Sequence, residues 1–309
     1  MSATGKRPSF ATAQGSVAAA PSLSLFGQLS NLLKLRIGVV MMLTALVAMM
    51  ITPGPQPTTL DVLVLAFAIL AAAGSAGAFN QYYEVDLDRR VARTCNRPFV
   101  TGYFTRGPLW IAIMLALLVA GVGSAALVLN FSAAFYIFLG AFFYAIVYTV
   151  WLKRRSWTNI VIGGASGSFA VLAGAAAVDP SPGPVAIMLA VVLFLWTPSH
   201  FWSLAIAKNK DYARTGIPML PVIIGNRRCT RVILLNTLLL VAISILPYFY
   251  GLGWIYLLCA GGGGAFFIYH NIRMLQDPAP RVAMGSFFAS LLQLVLLLVG
   301  AVVDVLLLA

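Results

Sequence analysis

The sequence predicts an all-α membrane protein, a polytopic bundle of transmembrane helices. Of its 309 residues, 61% are hydrophobic and only 9% are charged, whereas soluble domains are ~45–50% apolar and about a quarter charged. The apolar residues form continuous runs and do not alternate with polar ones, which disfavours a transmembrane β-barrel. A water-soluble fold could not bury this much apolar surface, so the composition excludes soluble enzymes, disulfide scaffolds and disordered chains.

The chain divides into a short tail and one membrane domain. Residues 1–24 are rich in Ala, Ser and Pro and are expected to form a flexible cytoplasmic tail. Lys6 and Arg7 resemble the start of a signal peptide, but no apolar core of that type follows, so cleavage is not expected. Residues 25–309 carry no long polar insertion and form a single transmembrane domain. The three cysteines lie far apart, without the spacing of a metal site or disulfide framework.

Nine apolar runs are long enough to cross a bilayer, which takes about 20 residues each. The first run ends at a Pro-rich break, residues 52–57, and the third and fourth abut so closely that only a tight turn separates them. The predicted spans are residues 37–51, 60–80, 108–129, 131–151, 158–178, 184–206, 232–250, 253–270 and 285–308.

The basic residues predict the orientation of these spans. All 20 Lys and Arg residues lie in the tail and first-span start or in the connections after spans two, four, six and eight. The only charged residues in the other connections and near the C-terminus are Asp61, Asp179 and Asp304. By the positive-inside rule, the N-terminus is cytoplasmic and the C-terminus outside, in a bacterial inner (plasma) membrane. The net charge of +12 therefore indicates contact with membrane lipid and no nucleic acid.

An acidic segment follows the second span. On a helix, Asn80, Glu84 and Asp88 are spaced four residues apart and share one face, whereas Asp86 points elsewhere. An amide and two carboxylates suit Mg²⁺, which prefers oxygen ligands and bridges protein carboxylates to substrate phosphates. The alternative is a polar helix end paired with nearby arginines. Carboxylates at membrane depth are costly, which favours the functional interpretation.

A second polar segment follows the sixth span. It contains Lys208, Lys210, Asp211, Tyr212 and Arg214. Asp211 occupies the place after span six that the first acidic segment occupies after span two, so the two are expected to face each other across the bundle. Downstream prolines at positions 218 and 221 predict an extended segment.

Clustered basic residues suggest an anion site beside these acids. Arg93 and Arg97 follow the first acidic segment, and Lys153, Arg154 and Arg155 follow span four. Guanidinium groups bind phosphate oxygens in bidentate fashion. For residues 153–155 the alternative is a role in topology alone.

Two histidines are candidates for tetrapyrrole iron. His200 lies in span six and His270 ends span eight. A lone histidine in an apolar helix is more often a hydrogen-bonded packing residue, so both interpretations stay open.

Four stretches together resemble a known family: NQYYEVDLDRRVARTCNRP (80–98), YTVWLKRRSWTNIVIGGASG (148–167), HFWSLAI (200–206) and DYARTGIPMLPVIIG (211–225). The chain is similar, from about residue 30 onward, to the intramembrane prenyltransferase superfamily, whose members carry an Asn-x3-Asp-x3-Asp motif and a second acidic motif. The third and fourth stretches resemble its haem-farnesylating branch.

The resemblance implies nine helices around a central cavity and a prenyltransferase activity that needs Mg²⁺. Farnesyl diphosphate would donate its farnesyl group to a vinyl group of haem b, giving haem O for terminal oxidase assembly. Asn80, Glu84, Asp88 and Asp211 match the catalytic, metal-binding motifs. The resemblance further implies diphosphate binding by Arg93, Arg97, Lys153, Arg154, Lys208 and Arg214, haem contacts at His200 and Trp202, and, as partners, the next haem-modifying enzyme or oxidase assembly factors.

Three departures from the family pattern stand out. Glu84 replaces the usual first Asp, Lys210 stands where a second Asp often precedes Asp-Tyr, and the segment after Gly167 lacks the expected prolines and tryptophan. Three alternatives remain open. They are a prenyltransferase with an aromatic quinone-precursor acceptor, a noncatalytic haem-binding assembly factor and a transporter. A transporter would be expected to carry charges near mid-span, and the predicted spans have none there.

Overall fold

The computed structural model describes residues 24–308, and every regular element in that range is a helix. Eight helices are long and apolar enough to cross a membrane, and a bent helix pair at the start brings the number to nine. The predicted all-α membrane bundle is thereby confirmed. The predicted flexible tail lies outside the described residues, apart from Ser24, whose hydroxyl accepts a hydrogen bond from the amide of Gly27 and caps the first helix.

The nine spans, numbered in chain order, are Leu25–Leu32 with Leu35–Ile51, Thr59–Tyr83, Pro108–Val128, Phe131–Leu152, Asn159–Ala176, Pro184–Ala207, Asn226–Tyr250, Trp254–Gln276 and Pro280–Leu308. Short helices lie in two of the connections. Val85–Asp88 and Pro98–Thr101 follow span 2, and Asn209–Thr215 and Leu220–Ile224 follow span 6.

Span 1 begins earlier than the sequence predicted and is bent by 56°. The bend falls at Lys34, which has a left-handed backbone with φ of +50°. At the bend, the side-chain nitrogen Nε2 of Gln81 on span 2 donates to the backbone oxygens of Asn31 at 2.6 Å and Leu32 at 3.3 Å. Carbonyls at a helix end have no partner within the helix, so Gln81 stabilises the break.

Six spans form a ring around the centre of the molecule. Spans 1, 2, 4, 5, 6 and 9 each contact the next in this order, and span 9 returns to span 1. Span 3 packs outside spans 2 and 4, while spans 7 and 8 pack outside spans 6 and 9. Only the ring spans are in a position to line a central cavity.

Spans 1 and 5 come together at one end of the ring. Gly174 on span 5 lies so close to span 1 that a Cβ atom there would overlap the backbone oxygen of Ala45. The ring is therefore closed at the C-terminal ends of spans 1 and 5. We call the opposite end, where Lys34, Glu84 and Lys153 lie, the basic end.

Side-chain hydrogen bonds join spans 6 to 9. Ser286 donates to the side-chain oxygen of Asn271 at 2.5 Å, Asn271 donates to Thr237 at 2.8 Å, and Thr237 donates to Ser199 at 2.9 Å. All four side chains are fully buried. Hydrogen bonds of this kind help to hold helices together where lipid offers no polar partner.

The segment after span 6 differs from the predicted extended conformation. Residues 217–219 are non-helical, but a short helix, Leu220–Ile224, begins immediately afterwards. Pro221 lies in the first turn of this helix. Proline is tolerated there because the first amides of a helix need no partner within it, so only Pro218 lies in the non-helical segment.

Candidate active site

The ring encloses a cavity of about 870 Å³. Its walls are mostly apolar residues of the ring spans, but polar side chains gather at the basic end. Those lining the cavity there include Lys34, Asn80, Asp88, Arg93, Arg97, Lys153, Lys208 and Asp211. Both acidic segments therefore meet the same cavity, which has one polar end and an apolar interior.

The acidic segment after span 2 keeps its helical spacing across a break. Span 2 ends at Tyr83 and the next short helix begins at Val85, with Glu84 between them. The amides of Glu84 and Asp88 nevertheless donate to the backbone oxygens of Asn80 and Glu84, at 3.0 and 2.9 Å. Asn80, Glu84 and Asp88 thus stay in register, and all three side chains are buried.

Each of these three side chains has a basic partner. Lys34 donates to Oδ1 of Asn80 at 2.6 Å. Lys153 pairs with Oε2 of Glu84 at 2.5 Å, and Arg97 pairs with Oδ2 of Asp88 at 2.6 Å. Buried carboxylates are costly unless paired and hydrogen-bonded, so these cations make the acidic segment tolerable at this depth.

The end of span 4 is a π-helix, Phe143–Leu152, which places several side chains towards the cavity. Thr149 donates to the backbone oxygen of Tyr144, five residues earlier, at 2.8 Å. In an α-helix of 3.6 residues per turn, Tyr144 and Lys153 would lie on opposite faces. The wider π turn brings Tyr144, Tyr148 and Lys153 to the cavity together.

Asp86 lies outside this arrangement, as its spacing predicted. It is exposed and forms two hydrogen bonds with the guanidinium of Arg154, at 2.9 and 2.8 Å. These bonds hold the pKa of Asp86 below its ordinary value and raise the pKa of Arg154. The pair ties the segment after span 2 to the end of span 4.

The structure brings most, but not all, of the predicted site residues to the cavity. Arg154 is engaged by Asp86, and Arg214 is exposed on the short helix after span 6. Trp202 packs in an apolar core with Ile206 and Met274. These three do not line the cavity. Glu84 does not line the cavity either, although its partner Lys153 does.

Sequence reasoning missed three contributors. The charge pattern of the sequence indicates only a role in membrane topology for Lys34, yet its ammonium donates to Asn80 and to the hydroxyl of Tyr144, at 2.6 Å each. Thr149 accepts from Nδ2 of Asn80 at 3.0 Å. Lys34 and Tyr144 were marked only by their position near charged segments, whereas Thr149 also lies in the stretch 148–167 that resembles the family. The π-helix that orients Tyr144 and Thr149 has no recognised sequence pattern.

The residues present fit a hard divalent cation that is completed by a ligand. Oε1 of Glu84 is enclosed and has no hydrogen-bond partner among the described residues, and Asp88 and Asn80 supply further oxygens. Within residues 24–308, no three acidic, histidine or cysteine side chains are grouped closely enough to hold a metal alone. Mg²⁺ commonly takes one or two protein carboxylates and completes its shell with phosphate oxygens and water.

The chain is similar to known proteins in both sequence and fold. Residues 41–298 match the UbiA prenyltransferase family. The chain is 54% identical to protoheme IX farnesyltransferase 2 of Paramagnetospirillum magneticum, over 90% of this chain and 97% of the relative. It is 42% identical to protoheme IX farnesyltransferase of Alkalilimnicola ehrlichii, over 89% and 91%. A solved UbiA homologue from Archaeoglobus fulgidus, bound to DMAPP and Mg²⁺, has the same fold, with a TM-score of 0.66, 14% identity and coverage of 87% and 99%.

Proposed function

Because the chain belongs to the UbiA prenyltransferase family and is a multi-pass membrane prenyltransferase, we propose that it transfers the farnesyl group of farnesyl diphosphate to a vinyl group of haem b. The product is haem O. The proposed donor and acceptor agree with the names of the relatives described above.

The observation that carries this proposal is the polarity of the cavity. Acidic and basic side chains meet at one end, and the interior beyond them is apolar. A farnesyl diphosphate has the same division, with a charged head and a long hydrocarbon tail. The volume of about 870 Å³ lies within the range of ~300–1,000 Å³ typical of small-molecule sites.

Asn80, Asp88 and Asp211, which line the polar end of the cavity, are the residues that would hold Mg²⁺. Glu84 does not line the cavity and would join them through its unpartnered Oε1. Bound there, the metal supplies positive charge that neutralises the diphosphate as it leaves. A solved structure of the Archaeoglobus homologue is bound to Mg²⁺, and the oxygen donors described above support the same metal in this chain.

The basic side chains bind the diphosphate. Arg93, Arg97, Lys153 and Lys208 line the polar end of the cavity, and Lys34 joins them. Preorganised cations stabilise the negative charge that develops on a leaving group. We leave Arg154 and Arg214 out of this set, because neither lines the cavity.

The interior of the cavity protects the reacting carbon. The C1–O bond of farnesyl diphosphate breaks with its electron pair going to diphosphate, and the vinyl π electrons form the new bond to C1. Water oxygen then adds to the resulting cation on the haem side chain and a proton is released. Tyr144 and Tyr148 line the cavity next to its polar end, where aromatic faces attract a cation.

We further propose a bacterial inner membrane location with the basic end in the cytoplasm. This follows from the positive-inside rule and places the diphosphate site where a soluble prenyl diphosphate arrives. Haem O is hydrophobic, so the next haem-modifying enzyme or an oxidase assembly factor is the expected recipient.

The test is acceptor supply to the purified protein. With farnesyl diphosphate, Mg²⁺ and haem b, mass spectrometry should detect haem O together with released diphosphate, and chelation of the metal should stop both. Hydroxybenzoate in place of haem should give no product. Prenylated hydroxybenzoate without haem O would instead support the quinone-precursor alternative, and haem binding without diphosphate release would support a noncatalytic factor.

A further inference from the structure

The apolar part of the cavity contains one histidine held in a fixed orientation. His200 on span 6 lies between two aromatic rings. Its ring centroid is 4.2 Å from that of Trp196 and 4.3 Å from that of Phe287, with interplanar angles of 17° and 29°. All three side chains line the cavity. With both faces covered, the imidazole is accessible only along its edge.

Ser290 on span 9 determines which ring nitrogen carries the hydrogen. Its hydroxyl lies 2.7 Å from Nδ1 of His200 and donates its own hydrogen to the backbone oxygen of Phe287 at 2.6 Å. The hydroxyl oxygen is therefore the acceptor for Nδ1–H. A neutral imidazole with its hydrogen on Nδ1 has a free lone pair on Nε2, and a charged ring would be costly in this apolar surrounding.

Nε2 is the ring nitrogen of His200 that has no partner among the described residues. It forms no hydrogen bond with any residue in the range 24–308, and it is not among the enclosed polar atoms that lack a partner. Since His200 lines the cavity, the exposed edge of its ring opens on that space. The indole of Trp196 donates to the backbone oxygen of Ser290 at 2.8 Å, which fixes the stack from the other side.

We propose that Nε2 of His200 is an axial ligand of the haem iron; the inference rests on the proposed function, in which haem b enters this cavity. Histidines that ligate metals almost always donate their other N–H to a fixed acceptor, which sets the tautomer and the ring orientation. Neutral imidazole is a common ligand of haem iron. Ser290 is then a positioning residue, acting through the ring.

Axial ligation determines how deep the porphyrin lies. Lys208, at the polar end, comes eight residues after His200, roughly 12 Å along the helix axis at 1.5 Å per residue. An iron held at His200 keeps the macrocycle in the apolar part, with the diphosphate end free for the prenyl donor. His270 offers no such site, because it lies on span 8 against Phe266 and Tyr269 and does not line the cavity.

The experiment compares two porphyrins that differ only in iron. Purified wild-type protein and the His200→Ala, Ser290→Ala and His270→Ala variants are titrated with haem b and with metal-free protoporphyrin IX, and the Soret band is recorded. We expect His200→Ala to lower haem affinity by at least ~10–100-fold and to abolish the ligation band, while protoporphyrin affinity is unchanged. Added imidazole should restore the band in this variant.

The other variants define the positioning role and the control. Ser290→Ala should keep a ligated spectrum with a shifted band and a haem affinity about 10-fold lower, because the ring loses its fixed orientation. His270→Ala should match the wild type in both titrations.

Wild-type haem affinity and spectrum in His200→Ala would overturn the proposal. A parallel loss of both porphyrin affinities with a lower melting temperature would also overturn it, in favour of a packing role. Haem O formation, measured separately, keeps the two proposals distinct. Ligation by His200 without haem O would refute the proposed function alone, and haem O formation with unchanged binding in His200→Ala would refute the ligand assignment alone.

Discussion

The ammonium of Lys34 lies 2.6 Å from Oδ1 of Asn80. The same ammonium donates to the hydroxyl of Tyr144 at 2.6 Å, so one side chain joins spans 1, 2 and 4. The hydrogen bond fixes the amide of Asn80, whose Nδ2 donates to Thr149. Lys34 has a left-handed backbone, which is strained for a residue with a side chain, and such strain is often found at functional sites. The bend in span 1 thus places a cation at the polar end of the cavity.

Lys34→Met should weaken the binding of farnesyl diphosphate. A hydrogen bond to a charged group contributes ~1.5–3 kcal/mol, so the dissociation constant should rise by about 10-fold or more. Isothermal titration with the diphosphate measures this. Arg228→Met is the control, since Arg228 is exposed at the start of span 7 and does not line the cavity. Equal affinities of the Lys34 variant and the wild type would remove Lys34 from the site.

Asp88→Asn should raise the Mg²⁺ concentration needed for diphosphate release. Asn keeps the shape of the side chain but removes the charge of a proposed metal ligand, and even outer partners of metal ligands change affinity by ~10–100-fold. Asp86→Asn is the matched control two residues away. It breaks only an exposed pair with Arg154, a change of about 1 kcal/mol or less in stability. Similar metal requirements in the two variants would contradict the metal assignment.

Gly174→Ala should lower the melting temperature. Ala normally favours a helix by ~1 kcal/mol over Gly, but here its Cβ would overlap the backbone of Ala45, and overpacking costs ~1–3 kcal/mol. Gly261→Ala in span 8 is the control, because no atom of the described residues lies within 4 Å of a Cβ there. Thermal unfolding in detergent should show a lower melting temperature for Gly174→Ala only. A Gly174→Ala variant as stable as the control would show that spans 1 and 5 can move apart at no energetic cost.

Reporter fusions test the membrane orientation. A reporter fused after Ala309 should be exposed outside, and one inserted near residue 95 should be cytoplasmic, because all 20 basic residues lie on one side of the predicted spans. If the C-terminus and residue 95 were both cytoplasmic, the number of spans would be even. If the C-terminus were cytoplasmic and residue 95 outside, the bundle would be inverted and the diphosphate site would lie away from the cytoplasm.

The sequence alone was sufficient for the number and order of the spans. Apolar runs of about 20 residues can only cross a membrane as helices, because lipid offers the backbone no hydrogen-bond partner. The spacing of Asn80, Glu84 and Asp88 likewise predicted side chains in a common register, since that spacing is a local property of a helix. Membrane insertion and helix periodicity depend on residues close in the chain, so composition and spacing reveal them.

The partners of those residues were decided by the tertiary structure. Lys34, Lys153 and Arg97 meet the acidic segment from three different parts of the chain. The clusters that contain Arg97 and Lys153 indicated an anion site, but no local pattern showed which acidic-segment residue each cation contacts. The π turn that brings Lys153 to the cavity, the packing of Trp202 away from it, and the contact of Ser290 with His200 across 90 residues depend on which spans are neighbours. That order follows from the packing of whole helix faces in three dimensions, as at Gly174, and not from the sequence of any one span.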